Sequence, residues 1–176
     1  GMRKMVNEFS TFARMPAPIF EKTDLNYLVK ELASISMLSN ENIIVEIEVP
    51  KRKLYAIVDA NQIRQALLNI VSNAIYSINE LSKLGKKNRN KLQIKLSKNK
   101  LEYNISVIDT GAGLPKNISD DLTAPYVTSK KDGTGLGLAI VKKIMEDHQG
   151  TLELKNLEKS KGVCAILKFK SNGKFK

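Results

Sequence analysis

The sequence predicts an α+β fold, a two-layer α/β sandwich with one mixed sheet covered on one face by about three helices and a short helix ahead of it. Three observations predict this. Helical three- and four-residue apolar spacing and strict two-residue alternation follow one another in mixed order along the chain. The length of 176 residues suits one domain with a real core plus an appended element. The hydrophobic fraction of 42% is that of a globular protein.

Residues 2–14 carry Met2, Met5, Val6, Phe9, Phe12 and Ala13 at helical spacing. Met15-Pro16-Ala17-Pro18 ends this helix, because proline lacks a donor and restricts its predecessor. At barely four turns the helix is not stable alone. It reads as the stump of a longer helix in a bundle or coiled coil, or as a helix lying on its own domain. A second helix starts near Asp24, a fair N-cap, and runs through Leu28, Val29, Leu32, Ala33 and Ile35. Ile43–Val49 and Leu54–Val58 read as two short strands around the turn Pro50-Lys51-Arg52. Asp59 or Ala60 opens a long helix to about Leu84, and Gly85–Asn90 comes next as a loop. Leu92, Ile94 and Leu96 alternate as a strand, as do Leu101, Tyr103, Ile105 and Val107, joined at Asn99-Lys100. Residues 110–133 form a long irregular loop, Thr134 to about His148 a helix, and Thr151–Leu157 and Val163–Phe169 the last strands.

Composition excludes several classes. No apolar run approaches the roughly 18–20 residues of a membrane span, and no signal-peptide pattern opens the chain. The formal net charge is +11, with clusters at Lys83–Lys91 and Lys95–Lys100. These clusters lack interleaved aromatics, so a solvated basic surface is expected and no nucleic acid partner. The single cysteine, Cys164, sits in an apolar run and reads as structural, in a reducing, cytoplasmic setting. Gly1 ahead of Met2 reads as an expression scar, which predicts a piece of a longer protein.

Three segments carry chemistry. On the helix from Ala60, the stripe Ile63, Ala66, Leu67, Ile70, Val71, Ala74 and Ile78 must face the sheet. Asn69 and Asn73 lie one turn apart, within roughly 40° of each other on the helix surface, and Gln62 shares that edge. A half-buried asparagine costs helix propensity and needs a partner. An amide oxygen ligating magnesium beside phosphates would supply one; the plain alternative is a pair of surface asparagines. In the strand Leu101–Asp109, alternation carries Asp109 to the core-facing side, where a carboxylate needs a donor. No lysine or arginine adjoins it in sequence. An adenine amino group would serve, with Gly111 and Gly113 letting the backbone turn beneath the base; the alternative is an acid that caps the turn. Finally, Gly133-Thr134-Gly135-Leu136-Gly137 leads into an apolar helical start, and amides there suit a phosphate chain. It is neither a Walker loop nor a dinucleotide fingerprint.

In this order and spacing the segments resemble the catalytic ATP-binding domain of sensor histidine kinases, within the wider family that includes gyrase and Hsp90-type ATPases. The resemblance covers about residues 24–170. It implies a Bergerat-type sandwich for that span, with the end of a dimerisation helix and a linker in residues 1–23 and a basic tail in 171–176. It implies ATP and Mg2+ as ligands, with Asn73 as metal ligand, Asn69 assisting and Asp109 reading adenine. Residues 114–132 would be the ATP lid, carrying Tyr126 and Thr128 and then Lys130, which reaches the terminal phosphate. Catalysis would fall to Asn69, Lys130 and Thr134, with the amides through Gly137. Hydrolysing relatives place a glutamate general base where this chain has Asn69, so the resemblance favours transfer to a protein nucleophile over a gyrase- or Hsp90-like ATPase. A nucleotide-free interaction module and a serine kinase are further alternatives. Val6–Pro16, Tyr126-Val127-Thr128 and Ile144–His148 resemble NtrY-type nitrogen-regulation sensor kinases. The resemblance therefore implies a phosphoacceptor and dimerisation domain, a homodimer, a cognate response regulator and an inner-membrane-anchored parent protein with this domain in the cytoplasm. Thr123 and Ala124 replace an aromatic and an acid usual in relatives, and Tyr76 and Ser77 replace a lysine–tyrosine pair. The only histidine, His148, corresponds to a structural one.

Overall fold

Capping aspartates, apolar stripes and alternating strands set the architecture of the computed structural model, which describes residues 1–85, 89–115, 122–123 and 135–171. In chain order the elements are α1 (Met2–Ala13), β1 (Glu21–Asp24), α2 (Leu25–Ser39), β2 (Ile44–Glu48), β3 (Tyr55–Val58), α3 (Ala60–Lys83), β4 (Lys91–Lys98), β5 (Glu102–Asp109), α4 (Gly137–Asp147), β6 (Thr151–Asn156) and β7 (Val163–Lys170). Five strands form one sheet in the order β2-β4-β5-β7-β6; β2 runs parallel to β4 and the other neighbours are antiparallel. Helices α2, α3 and α4 bury their apolar sides with the inner faces of β4, β5 and β7 in one core. Among the described residues no helix is long and apolar enough to cross a membrane.

The helix starts arise from the sequence. Asp24 accepts from the Tyr27 N–H at 3.0 Å and Asp59 from the Gln62 N–H at 3.1 Å, each cap contributing about 1 kcal/mol. The predicted α3 stripe is buried throughout, from Ile63 to Ile78.

Four expectations need correction. β2 and β3 do not pair with each other: β3 pairs with β1, a strand the sequence did not announce, in a separate two-stranded sheet. The Asn26 side chain is the reason. It donates to the Pro50 carbonyl at 2.9 Å and accepts from the Leu54 N–H at 2.8 Å, stapling the connection to the start of α2 and turning β3 away. Leu101 is exposed rather than inward, because it sits in the turn before β5, capped by the Asn99 side chain. Ile35 lies on the solvent side of α2. Helix α4 starts at Gly137, later than expected, because Gly135 and Leu136 ahead of it are not helical.

The helix-free face of the sheet carries lysine–glutamate pairs between neighbouring strands. Lys91–Glu46 and Lys95–Glu48 pair across β4 and β2, and Lys168–Glu153 across β7 and β6. Cys164 is buried in β7, and desolvation pushes its thiol above the ordinary range, which fits a structural residue.

Candidate functional site

Helix α3, the end of β5 and the start of α4 enclose a cavity of about 660 Å³, within the range of small-ligand sites. Asn69, Asn73, Asp109, Gly113, Gly135 and Gly137 all line it. Thus six of the sequence-predicted residues, from three separate segments, converge on one space. Gly111 lies buried behind it, and the Leu136 side chain is fully buried in the core, so Leu136 can contribute only backbone. Tyr126, Thr128, Lys130, Gly133 and Thr134 lie outside the described residues.

Alternation along β5 buries Tyr103, Ile105, Val107 and then Asp109, which is only 4% exposed. Its Oδ1 accepts from the Gly111 N–H at 2.8 Å and from the Val163 N–H at 3.4 Å. No hydrogen bond among the described residues reaches Oδ2, so the second oxygen is the acceptor offered to a ligand. Burial pushes the carboxyl up to about 6, against which the two backbone N–H groups pull only partway.

The turn beneath Asp109 is locked from two sides. The Ala112 N–H donates to Ser77 Oγ at 3.0 Å, and a Cβ at Gly111 would collide with the Ser77 side chain and backbone. Further on, the Leu114 N–H donates to Asn156 Oδ1 at 2.8 Å. From the other side, Gly162 packs on the Asp109 carbonyl. Ser77, Asn156 and Gly162 were not among the sequence candidates. Ser77 could have been found from its place two turns beyond Asn69; the other two gave no signal.

Asn69 Nδ2 donates to the Gly137 carbonyl at 3.2 Å, tying α3 to the first residue of α4 and leaving its Oδ1 to act as acceptor. Asn73 lines the cavity one turn further along. Among the described residues no three of His, Cys, Asp and Glu cluster as a metal cage. Two amide oxygens fit a hard cation that takes its remaining ligands from phosphate and water.

Gln62 shares the asparagine edge, seven residues before Asn69 on α3, but serves the linker rather than the cavity. It is buried, and its Nε2 donates to the Pro16 carbonyl at 3.0 Å. His148 is equally structural. Its Nδ1–H donates to the Ile144 carbonyl at 2.7 Å and its Nε2 accepts from the Asp59 N–H at 3.0 Å. Burial holds its pKa below the ordinary value.

A family model described as histidine kinase-, DNA gyrase B-, and HSP90-like ATPase matches residues 58–173, the span that holds both asparagines, Asp109 and both glycine turns. The chain belongs to this ATPase family. Nitrogen regulation protein NtrY of Azorhizobium caulinodans is 36% identical over 97% of the chain. A putative sensor histidine kinase NtrY-like of Rickettsia felis is 36% identical over 94%. The chain spans 22% and 26% of the lengths of these two relatives. Among solved structures, the nucleotide-free catalytic domain of histidine kinase ThkA superposes with a TM-score of 0.73 at 28% identity, covering 87% of this chain and 98% of that one. The fold is accordingly the Bergerat-type α/β sandwich of histidine kinase catalytic domains.

Proposed function

We propose that this chain binds Mg-ATP and, in its parent protein, presents the γ-phosphoryl group to a histidine on a dimerisation domain outside this sequence. The observation that carries the reading is Asp109: a buried carboxylate with one oxygen held by backbone and the other facing a cavity shared with Asn69 and Asn73. An adenine amino group matches that oxygen. The aliphatic side chains of Ile70, Val107, Leu138 and Leu154 suit the faces of a base.

Asn73 and Asn69 would hold magnesium, which when bound with ATP neutralises phosphate charge. Gly135 and Gly137 let the chain come close to the phosphates; Lys130 would complete their binding from the lid, residues 114–132, and Thr134 from the glycine segment after it. Tyr126 and Thr128 belong to that lid. Catalysis then consists of positioning and charge neutralisation. Asn69 cannot serve as a general base, which supports transfer over hydrolysis. The reading divides the chain into the end of a dimerisation helix with its linker (1–23), the catalytic domain (24–170) and a basic tail (171–176). It places a homodimeric, membrane-anchored sensor kinase around this domain, with a response regulator as final acceptor.

Calorimetric titration of the chain with Mg-ATP, beside its Asp109→Asn variant, tests the reading; equal binding by both, or none by the wild type, overturns it. Incubated with γ-labelled ATP, the chain alone is expected to acquire no stable label, because both ring nitrogens of its single histidine are engaged inside the fold. Stable label on this chain would contradict the proposal.

Gly137 separates binding from folding. It lines the cavity, and a Cβ there would meet nothing within 4 Å among the described residues. Gly137→Ala is therefore expected to leave the melting temperature unchanged or slightly higher, since alanine suits a helix better. Mg-ATP affinity should fall about tenfold as the methyl group enters the ligand's space; a calorimetric comparison reads both.

A further inference from the structure

Helix α1 is amphipathic, yet its apolar side faces out: Met2, Val6 and Phe9 are 86%, 60% and 47% exposed. The stripe turned towards the domain is Lys4, Glu8 and Phe12, successive residues one turn apart. Phe12 packs on the core, while Lys4 and Glu8 line the cavity that holds Asn69, Asn73 and Asp109. The linker after the helix fixes this placement, more than the helix's own burial does. Gln62 holds the Pro16 carbonyl, the Ile19 N–H donates to Asp59 Oδ2 at 2.9 Å, and the Phe20 ring stands edge-on to His148 with centroids 5.3 Å apart. The linker is thereby stitched to the start of α3 and the end of α4, and α1 runs back from that anchor over the cavity. About 660 Å³ stays open with α1 in place, so the helix bounds the site without filling it.

Charge gives this wall a role. Among the described residues that line the cavity, Lys4 is the only cation, beside the carboxyl groups of Glu8, Glu80 and Asp109. A polyphosphate entering such a space requires positive charge, and a lysine ammonium on a flexible stem supplies rotatable donors. We propose that α1 is a wall of the nucleotide site and that Lys4 is a phosphate-binding residue contributed from outside the span matched by the family model. The inference rests on the nucleotide reading above and adds a contact to it. By linkage, a nucleotide that gains affinity from Lys4 holds α1 against the domain by the same factor. The position of the helix that leads out of the domain then depends on the phosphates in the site.

The test is titration with adenosine, Mg-ADP and Mg-ATP of the wild-type chain, Lys4→Gln, a chain lacking residues 2–13, and Lys51→Gln as a distant charge control. Lys4→Gln is expected to weaken both phosphorylated ligands about three- to fivefold, the range of a partly exposed charge pair, and to leave adenosine unchanged. The deletion should act in the same direction, and Lys51→Gln should move nothing. Unchanged ATP affinity in Lys4→Gln overturns the inference, as does tighter ATP binding by the deleted chain, which would make α1 an obstruction. If adenosine binds and Lys4 has no effect, only the inference falls. If none of the three ligands binds the wild type, the nucleotide reading falls and takes the inference with it.

Discussion

Asp109→Asn is expected to abolish adenine nucleotide binding while making the free chain more stable. An asparagine that kept its oxygen on the Gly111 and Val163 N–H groups would turn its NH2 into the cavity, donor against donor where adenine presents its amino group. Such a mismatch leaves buried polar groups unpaired and costs orders of magnitude in affinity. The gain in stability has the opposite origin. The carboxyl is raised in the native state from 3.8 to about 6 by desolvation, so the native form holds its proton over a pH window where the unfolded form has lost it. Stability from this group is therefore greatest below pH 3.8 and falls as pH rises to about 6, by about 3 kcal/mol in all. Asparagine removes that cost. At neutral pH the variant should melt about 5 °C or more above the wild type, and the wild type's loss of stability between pH 4 and 6 should flatten. Binding has the reverse slope, because the ionised carboxylate is the better acceptor: adenosine, which has no phosphate to titrate, should bind the wild type more weakly below pH 6. A variant that melts lower and still binds would show that Asp109 supports the fold and not the ligand.

The second large effect is expected at Gly162, far in sequence from any glycine motif. Its φ is +137°, and a Cβ there would run into the carbonyl oxygen of Asp109. Gly162→Ala must therefore displace backbone at the end of β5, a cost of about 3 kcal/mol or more. The same displacement moves the Val163 N–H that holds Asp109 Oδ1, so nucleotide affinity should fall together with the melting temperature. Gly85 is the control, since it also has positive φ, +70°, but a Cβ there would meet nothing within 4 Å among the described residues. Gly85→Ala should cost only about 1–2 kcal/mol and leave affinity intact. Equal effects of the two substitutions would mean that Gly162 matters for its backbone angle alone.

These residues also mark where the sequence is legible. Alternation along β5 runs without interruption into Asp109, so a period of two was enough to turn the acid inward. The stripe of α3 likewise located the edge that carries Asn69 and Asn73, and Asp24 and Asp59 cap where a capping residue was expected. Strand β1 was illegible because Glu21-Lys22-Thr23-Asp24 buries only Thr23 and shows no apolar alternation. The pairing of β3 depends on Asn26, a polar side chain in a helix whose two distant backbone partners no local pattern reveals. Gly162 falls in Lys159-Ser160-Lys161-Gly162, which reads as an ordinary hairpin turn; only the fold brings it against Asp109. The lining by Lys4 and Glu8 was hidden for a different reason. An amphipathic helix is expected to turn its apolar side inward, and α1 does the opposite.

The ladder of lysine–glutamate pairs across the helix-free side of the sheet bears on how this molecule behaves in company. Strands β2 and β6 stand at the edges of the sheet among the described residues, and an edge strand's outer backbone groups are an invitation to any loose strand from a neighbour. A newcomer aligning there would have to lie beside Glu46, Glu48 and Glu153, each already satisfied by a lysine one strand in. To dock there it would have to break or bury those ion pairs, a cost that opposes extension of the sheet through copies of the chain.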